Sequence, residues 1–152
     1  MRAIGLDLGT RRIGVAVSDP GGVLATPYAV IDRSGDEATD HRRILDLAGE
    51  VGAEHIVVGL PLSLDGSVGP AATAALAEVE RLSATTDLPV DTYDERLTTV
   101  TADRHLRAQH RHGRARRRVI DQAAAAVMLQ AWLDARGARP TRPTPPPEEP
   151  PA

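Results

Sequence analysis

Three acidic residues occupy places where a carboxylate is costly. Asp7 interrupts the apolar alternation Ala3-Ile4-Gly5-Leu6-Asp7-Leu8, and Glu95 closes the string Tyr93-Asp94-Glu95. Asp121 sits between Val119-Ile120 and Gln122 with its run of four alanines. Carboxylates in such surroundings persist when they are paired or bound to a cation. Each has a structural account of its own. Asp121 could favour a helix dipole, Glu95 could pair with Arg96 or another arginine, and Asp7 could form a buried salt bridge. Taken together they point elsewhere. Three carboxylates converging without a cation would repel one another, so such a cluster implies Mg²⁺ or Mn²⁺. Hard oxygen donors suit those ions, and no cysteine is present to favour a softer metal. The chemistry expected of such a cluster is two-metal phosphoryl transfer, with the ions about 3.5–4 Å apart.

A second group of residues could hold the substrate of that chemistry. From Arg104 to Arg118 the chain carries seven arginines, three histidines (His105, His110 and His112) and no acid. Arg12, Arg111, Arg114, Arg116, Arg117 and Arg118 are the candidate contacts to a phosphate backbone. The stretch runs into the segment bearing Asp121, so a backbone gripped there would be delivered to the acids. None of the five histidines shares a metal-binding spacing with an acid. Gly59 to Gly69 lacks the Gly-Lys-Ser/Thr ending of a phosphate-binding P-loop; it either lines the cleft beside the acids or simply connects two elements.

The elements that must position these groups follow from periodicity. Ala3–Leu8 and Ile13–Ser18 read as strands around the turn Gly9-Thr10-Arg11-Arg12. Asp19-Pro20-Gly21-Gly22 is a stronger turn before a third strand, Val23 to Ile31, giving an antiparallel meander. The period then changes. Ile44, Leu47, Ala48 and Val51 recur at helical spacing between Asp36 and the capping Gly52. His55–Leu60 is a short apolar run, as in a strand buried on both faces. Pro70 opens a helix to about Ser83, and Val90–Glu95 is a fifth strand. A further helix starts near Thr98, and the last runs from about Arg118 to Arg136, with Asp121 in its first turn. The order βββ-α-β-α-β-α-α predicts an α/β fold of three layers around a mixed five-stranded sheet.

Length and composition bound the rest. With 152 residues, the chain predicts one domain over residues 1–136. Residues 137–152 hold seven of the twelve prolines and read as a disordered tail. The absence of cysteine excludes a disulfide framework and thiolate zinc sites. Asp7 arrives too early for a signal peptide, and no apolar run approaches the ~18–20 residues of a membrane span, which predicts a soluble cytoplasmic protein with no membrane partner. The net charge of −3 says nothing for nucleic acid; the clustering of arginine does.

Four blocks also carry a family likeness. Gly5-Leu6-Asp7-Leu8-Gly9 with Arg12 to Asp19 resembles the opening motif of the YqgF family, Holliday-junction-resolvase-like proteins also described as pre-16S ribosomal RNA nucleases. Val57 to Leu62 with Asp65-Gly66-Ser67 follows, then Asp94 to Thr99, then Ile120 to Ala125, in the family's order. The resemblance spans about residues 3 to 136. It implies an RNase H-like fold, and it implies catalytic and metal-binding roles for Asp7, Glu95 and Asp121. The basic residues that are often lysine in the family are arginine here, and the proline-rich tail lies outside the family pattern.

The resemblance therefore implies a Mg²⁺- or Mn²⁺-dependent nuclease acting on pre-rRNA or branched DNA, with ribosomal particles as further partners and a monomer or homodimer as the working state. Two other readings compete. Asp7-Leu8-Gly9-Thr10 also opens the nucleotide site of actin- and Hsp70-like ATPases, but 152 residues cannot hold the two lobes those enzymes need. A non-catalytic nucleic-acid-binding factor of the same fold is the other, against which stands the presence of all three acids.

Overall fold

The computed structural model describes residues 1–63, 65–97 and 114–137. Five strands form one sheet in the order β3-β2-β1-β4-β5. β1 (Ala3–Leu8) pairs antiparallel with β2 (Arg12–Ser18), which pairs antiparallel with β3 (Ala25–Asp32). On the other side of β1 lie β4 (His55–Leu60) and β5 (Val90–Asp94), both parallel to their neighbours. The crossovers are α1 (Glu37–Val51) and α2 (Pro70–Ser83), and a long helix, α3 (Arg114–Gly137), closes the other face. The mixed α/β sheet expected from the element order is therefore present.

The two faces of the sheet bury different kinds of residue. Alternation turns Ile4, Leu6, Ile13, Val15, Ile56 and Val58 toward α1 and α2, where they meet Ile44, Ala48, Val79 and Leu82. The opposite face is built from small residues, Ala3 and Ala16 with Val57, against Ala125, Met128, Leu129 and Trp132 of α3. Small residues let the helix come close. A Cβ on Gly5 would lie 2.8 Å from Leu129 Cβ, and one on Gly14 only 2.2 Å from the Asp121 carbonyl oxygen. Gln130 ties α3 to the hairpin by accepting from the Ala25 amide at 2.9 Å and donating to the Val23 carbonyl at 2.8 Å.

β2 and β3 each extend one residue beyond the sequence reading, to Arg12 and Asp32, and three further boundaries differ in ways that matter. β3 starts at Ala25 rather than Val23, because Asp19 Oδ1 accepts the amides of Val23 and Leu24 at 2.7 and 2.9 Å and holds them in the turn. Glu95 does not end β5; it opens a 3₁₀ turn, Glu95–Leu97. α3 begins at Arg114, not Arg118, since arginine is a good helix former and the charge run is compatible with a helix. Asp121 is thus the eighth helical residue, too deep for the helix-dipole account, and Arg114 is helical rather than part of a loop. The helix expected to start near Thr98 lies outside the described residues.

Candidate active site

Asp7, Glu95 and Asp121 come from three distant parts of the chain to one face of the sheet, the face covered by α3. Asp7 pairs with Gly14 across β1 and β2. The bare face of Gly14 is occupied by the backbone of Asp121. On the other side, β1 and β4 pair Leu6 with Val58; one residue further the same register sets Gly59 beside Asp7. A Cβ on Gly59 would lie 2.6 Å from Glu95 Oε1. Gly14, Asp7 and Gly59 therefore form a row across three strands spaced about 4.8 Å apart, with Asp121 over one end and Glu95 over the other. The two glycines make room for the two acids. The row lies at the carboxyl ends of β1 and β4, the edge where open α/β sheets place ligands.

Burial and charge set the character of the three acids. Asp7 and Glu95 are 6% and 8% exposed. Burial, with a smaller contribution from the neighbouring Asp94 charge, holds the Glu95 carboxyl above the usual carboxylate range. Arg96 does not pair with Glu95. It forks onto Asp94, with Nε 3.0 Å from both carboxylate oxygens, and its hydrogen bonds hold Asp94 below its ordinary value. Asp121 Oδ2 accepts from Arg12 Nε at 3.0 Å. The loop after β4 reaches the residue that follows Glu95: a Cβ on Gly66, itself at φ +87°, would lie 3.1 Å from Arg96 Nη1.

A second charged group braces the β1–β2 turn from behind. Arg33 Nε donates to the Gly9 carbonyl at 2.7 Å, two residues beyond Asp7. Its Nη1 and Nη2 clasp Glu78 at 3.0 and 2.9 Å, and Glu78 Oε2 also meets His41 Nε2 at 2.8 Å. Glu37 joins through a forked pair with Arg81. Glu37, His41 and Glu78 lie close enough together to hold a metal ion, which corrects the expectation that no histidine shares a metal-binding arrangement with an acid. Two arginines already balance these carboxylates, so the group serves as an ion-pair clamp on the turn.

Comparison with known proteins fits this geometry. Residues 1–135 match the family model described as RuvX, Holliday junction resolvase. The chain belongs to the RuvX Holliday junction resolvase family. The Holliday-junction-resolvase-like resemblance of the four sequence blocks agrees with this, and relatives extend it. A Rhodococcus opacus protein named "Putative pre-16S rRNA nuclease" is 51% identical over 139 residues, 89% of this chain and 78% of its own. A Leifsonia xyli protein of the same name is 48% identical over 148 residues, 97% of this chain and 94% of its own. Among solved structures, T. thermophilus RuvC in complex with a Holliday junction substrate superposes with a TM-score of 0.56 at 17% identity, covering 91% of this chain and 96% of that one. That likeness establishes the RNase H-like fold of this RuvX-family chain.

The candidate phosphate contacts are distributed unevenly in this RuvX-family fold. Arg12 starts β2, with its side chain 15% exposed beside the row. Arg114, Arg116, Arg117 and Arg118 fall on the first turns of α3, and Arg111 lies outside the described residues. Helical periodicity puts positions 114, 117 and 118 on the stripe of Asp121, and position 116 off it. Sequence reasoning missed the clamp. The i, i+4 spacing of Glu37 and His41 was a usable signal, but nothing in the sequence linked them to Arg33 or Glu78. Among the described residues, no helix is long and apolar enough to cross a membrane.

Proposed function

We propose that this chain is a Mg²⁺- or Mn²⁺-dependent endonuclease that hydrolyses phosphodiester bonds in structured nucleic acid, with the 5′ end of pre-16S rRNA as its substrate. The observation that carries the reading is the row of Asp121, Asp7 and Glu95 over Gly14 and Gly59. Its donors are all hard oxygens, which fit these cations. When bound, the cations supply an activated water and stabilise the leaving oxygen. The protein's part is positional. Asp7 anchors the centre of the row from a buried strand, while Glu95 and Asp121 close on it from a turn and a helix. Burial raises the Glu95 carboxyl, so its deprotonation would accompany cation binding, which would tighten as pH rises. Arg12 orients Asp121 and stands ready for a phosphate, and the arginines of α3 guide the backbone inward. The names of the pre-16S rRNA nuclease relatives favour an RNA substrate, and ribosomal particles are the natural setting for it, with the chain acting in the cytoplasm as a monomer or homodimer.

The test compares the wild type with Asp7→Asn and Asp121→Asn. A cation that binds only the native state stabilises it by about 2.7 kcal/mol at a hundred times its Kd. Thermal melts with Mn²⁺ should show that gain in the wild type and its loss in both variants. Cleavage of a pre-16S precursor and of a four-way DNA junction, assayed side by side, should vanish in both. Cleavage at the wild-type rate in Asp7→Asn would overturn the assignment. Preference for the junction would transfer the activity to DNA.

A further inference from the structure

Among the described residues, the α3 side of the sheet is not evenly covered: α3 packs chiefly across β1, β2 and β3, and the edge strand β5 borders a cavity of about 420 Å³. Its lining is Asp91, Thr92, Tyr93, Trp132, Ala135 and Arg136. Trp132 is fixed in place, with the His55 ring centroid 4.9 Å from its own and the Arg136 guanidinium 4.7 Å above it. Asp91 Oδ2 is 2.6 Å from His55 Nε2. Its other oxygen makes no hydrogen bond among the described residues.

We propose that this cavity binds one nucleobase of the substrate strand, a base that carries an exocyclic amino group. The inference rests on the nuclease reading above for its substrate class. Tyr93 and the Arg136 guanidinium, which itself lies over the buried Trp132 ring, offer flat groups of the kind on which unstacked bases settle. The volume is that of a small-ligand site. Asp91 supplies an acceptor, which takes an amino hydrogen from cytosine, adenine or guanine, whereas uracil has no amino group and turns O4 toward it. The placement also fits. Asp91 lies three residues, roughly 10 Å, before the end of β5 at Asp94, and Glu95 opens the turn that follows, so a strand with a phosphate at the carboxylate row reaches the cavity within a few nucleotides.

Trp132 is the only tryptophan in the chain, so its fluorescence reads this cavity alone. The full chain, without divalent cation, is titrated with single-stranded tetramers of cytidylate, of uridylate and of abasic ribose phosphate. The cytidylate tetramer should quench Trp132 saturably and bind on the order of tenfold more tightly than the uridylate tetramer. The abasic tetramer should leave the fluorescence unchanged. Asp91→Asn, at a side chain 51% exposed, should erase the preference, and Arg136→Ala should weaken the cytidylate tetramer severalfold. Equal affinity for the two base types, or a preference untouched by Asp91→Asn, overturns the proposal. The two readings fail separately: cleavage by Asp7→Asn sinks the nuclease assignment, whereas a missing base preference in a protein whose cleavage depends on Asp7 sinks only the pocket.

Discussion

Replacing Gly59 by alanine should separate the chemistry from the fold. The new Cβ would lie 2.6 Å from Glu95 Oε1 and 3.2 Å from Glu95 Cγ. The first distance is about 0.8 Å inside the 3.4 Å where ordinary contact begins. The clashing atoms are the far end of one side chain, and Gly59 is not among the glycines at positive φ, so the backbone accepts alanine. Stability should fall by no more than about 1 kcal/mol, a few degrees in Tm. The carboxylate, however, must move by close to an ångström, and a misplacement of about that size costs on the order of 100-fold in rate. Initial rates on an end-labelled pre-16S precursor, run beside thermal melts of the same preparation, read both quantities. A well-folded Gly59→Ala that cuts at the wild-type rate would refute the placement of Glu95 in the site. A fall in Tm large enough to explain the lost activity would refute the claim that the glycine serves the acid.

Gly14→Ala should behave in the opposite way. Its Cβ would meet the Asp121 backbone at 2.2 Å, and a helix cannot step aside cheaply, so a loss of about 3 kcal/mol and roughly 10 °C in Tm is expected by calorimetry. Burial alone would raise the Glu78 carboxyl, but hydrogen bonds from Arg33 and His41 more than offset it and hold the group below its ordinary 4.5. Glu78→Gln should therefore destabilise by about 2–3 kcal/mol at pH 7 in urea titrations. A depressed carboxyl contributes fully above pH 4.5, so the gap between wild type and variant should close as pH falls below that value. Replacing Arg114, Arg116 and Arg117 with alanine should flatten the slope of log affinity against log salt by about 0.7–0.9 for each phosphate that is no longer neutralised, while Mn²⁺ binding measured by calorimetry holds. Residues 138–152 contain no valine, leucine, isoleucine, methionine or aromatic residue, so their deletion should leave Tm and cleavage unchanged.

How much of this was legible depended on whether a local pattern carried the information. The alternation of β1, the apolar run of β4 and Pro70 at the head of α2 all read correctly, because side-chain period and cap chemistry are local. Asp7 stood out for the same reason, as a charge inside an apolar period. The start of α3 did not. Charge suggested a loop, whereas arginine's helix propensity decided the matter. Val23 and Leu24 looked like strand residues, yet they are 71% and 58% exposed because the Asp19 carboxylate captures their amides. The roles of Gly14 and Gly59 needed the third dimension. Each exists to admit an acid from a remote segment, and no spacing along the chain announces that.

The Arg12–Asp121 pair joins residues 109 positions apart, and α3 supplies both a face of the core and one acid of the row. Contacts of such long sequence separation form late, after most of the loop-closure entropy has been met. A chain still leaving the ribosome carries Asp7 and then Glu95, but lacks the helix that completes the row. On the proposed role of the row, fragments or nascent chains without α3 should show no cleavage in the precursor assay. If the row cuts ribosomal RNA as proposed, synthesis on a ribosome is kept apart from activity toward one, because the three acids meet only when α3 lies down on the sheet.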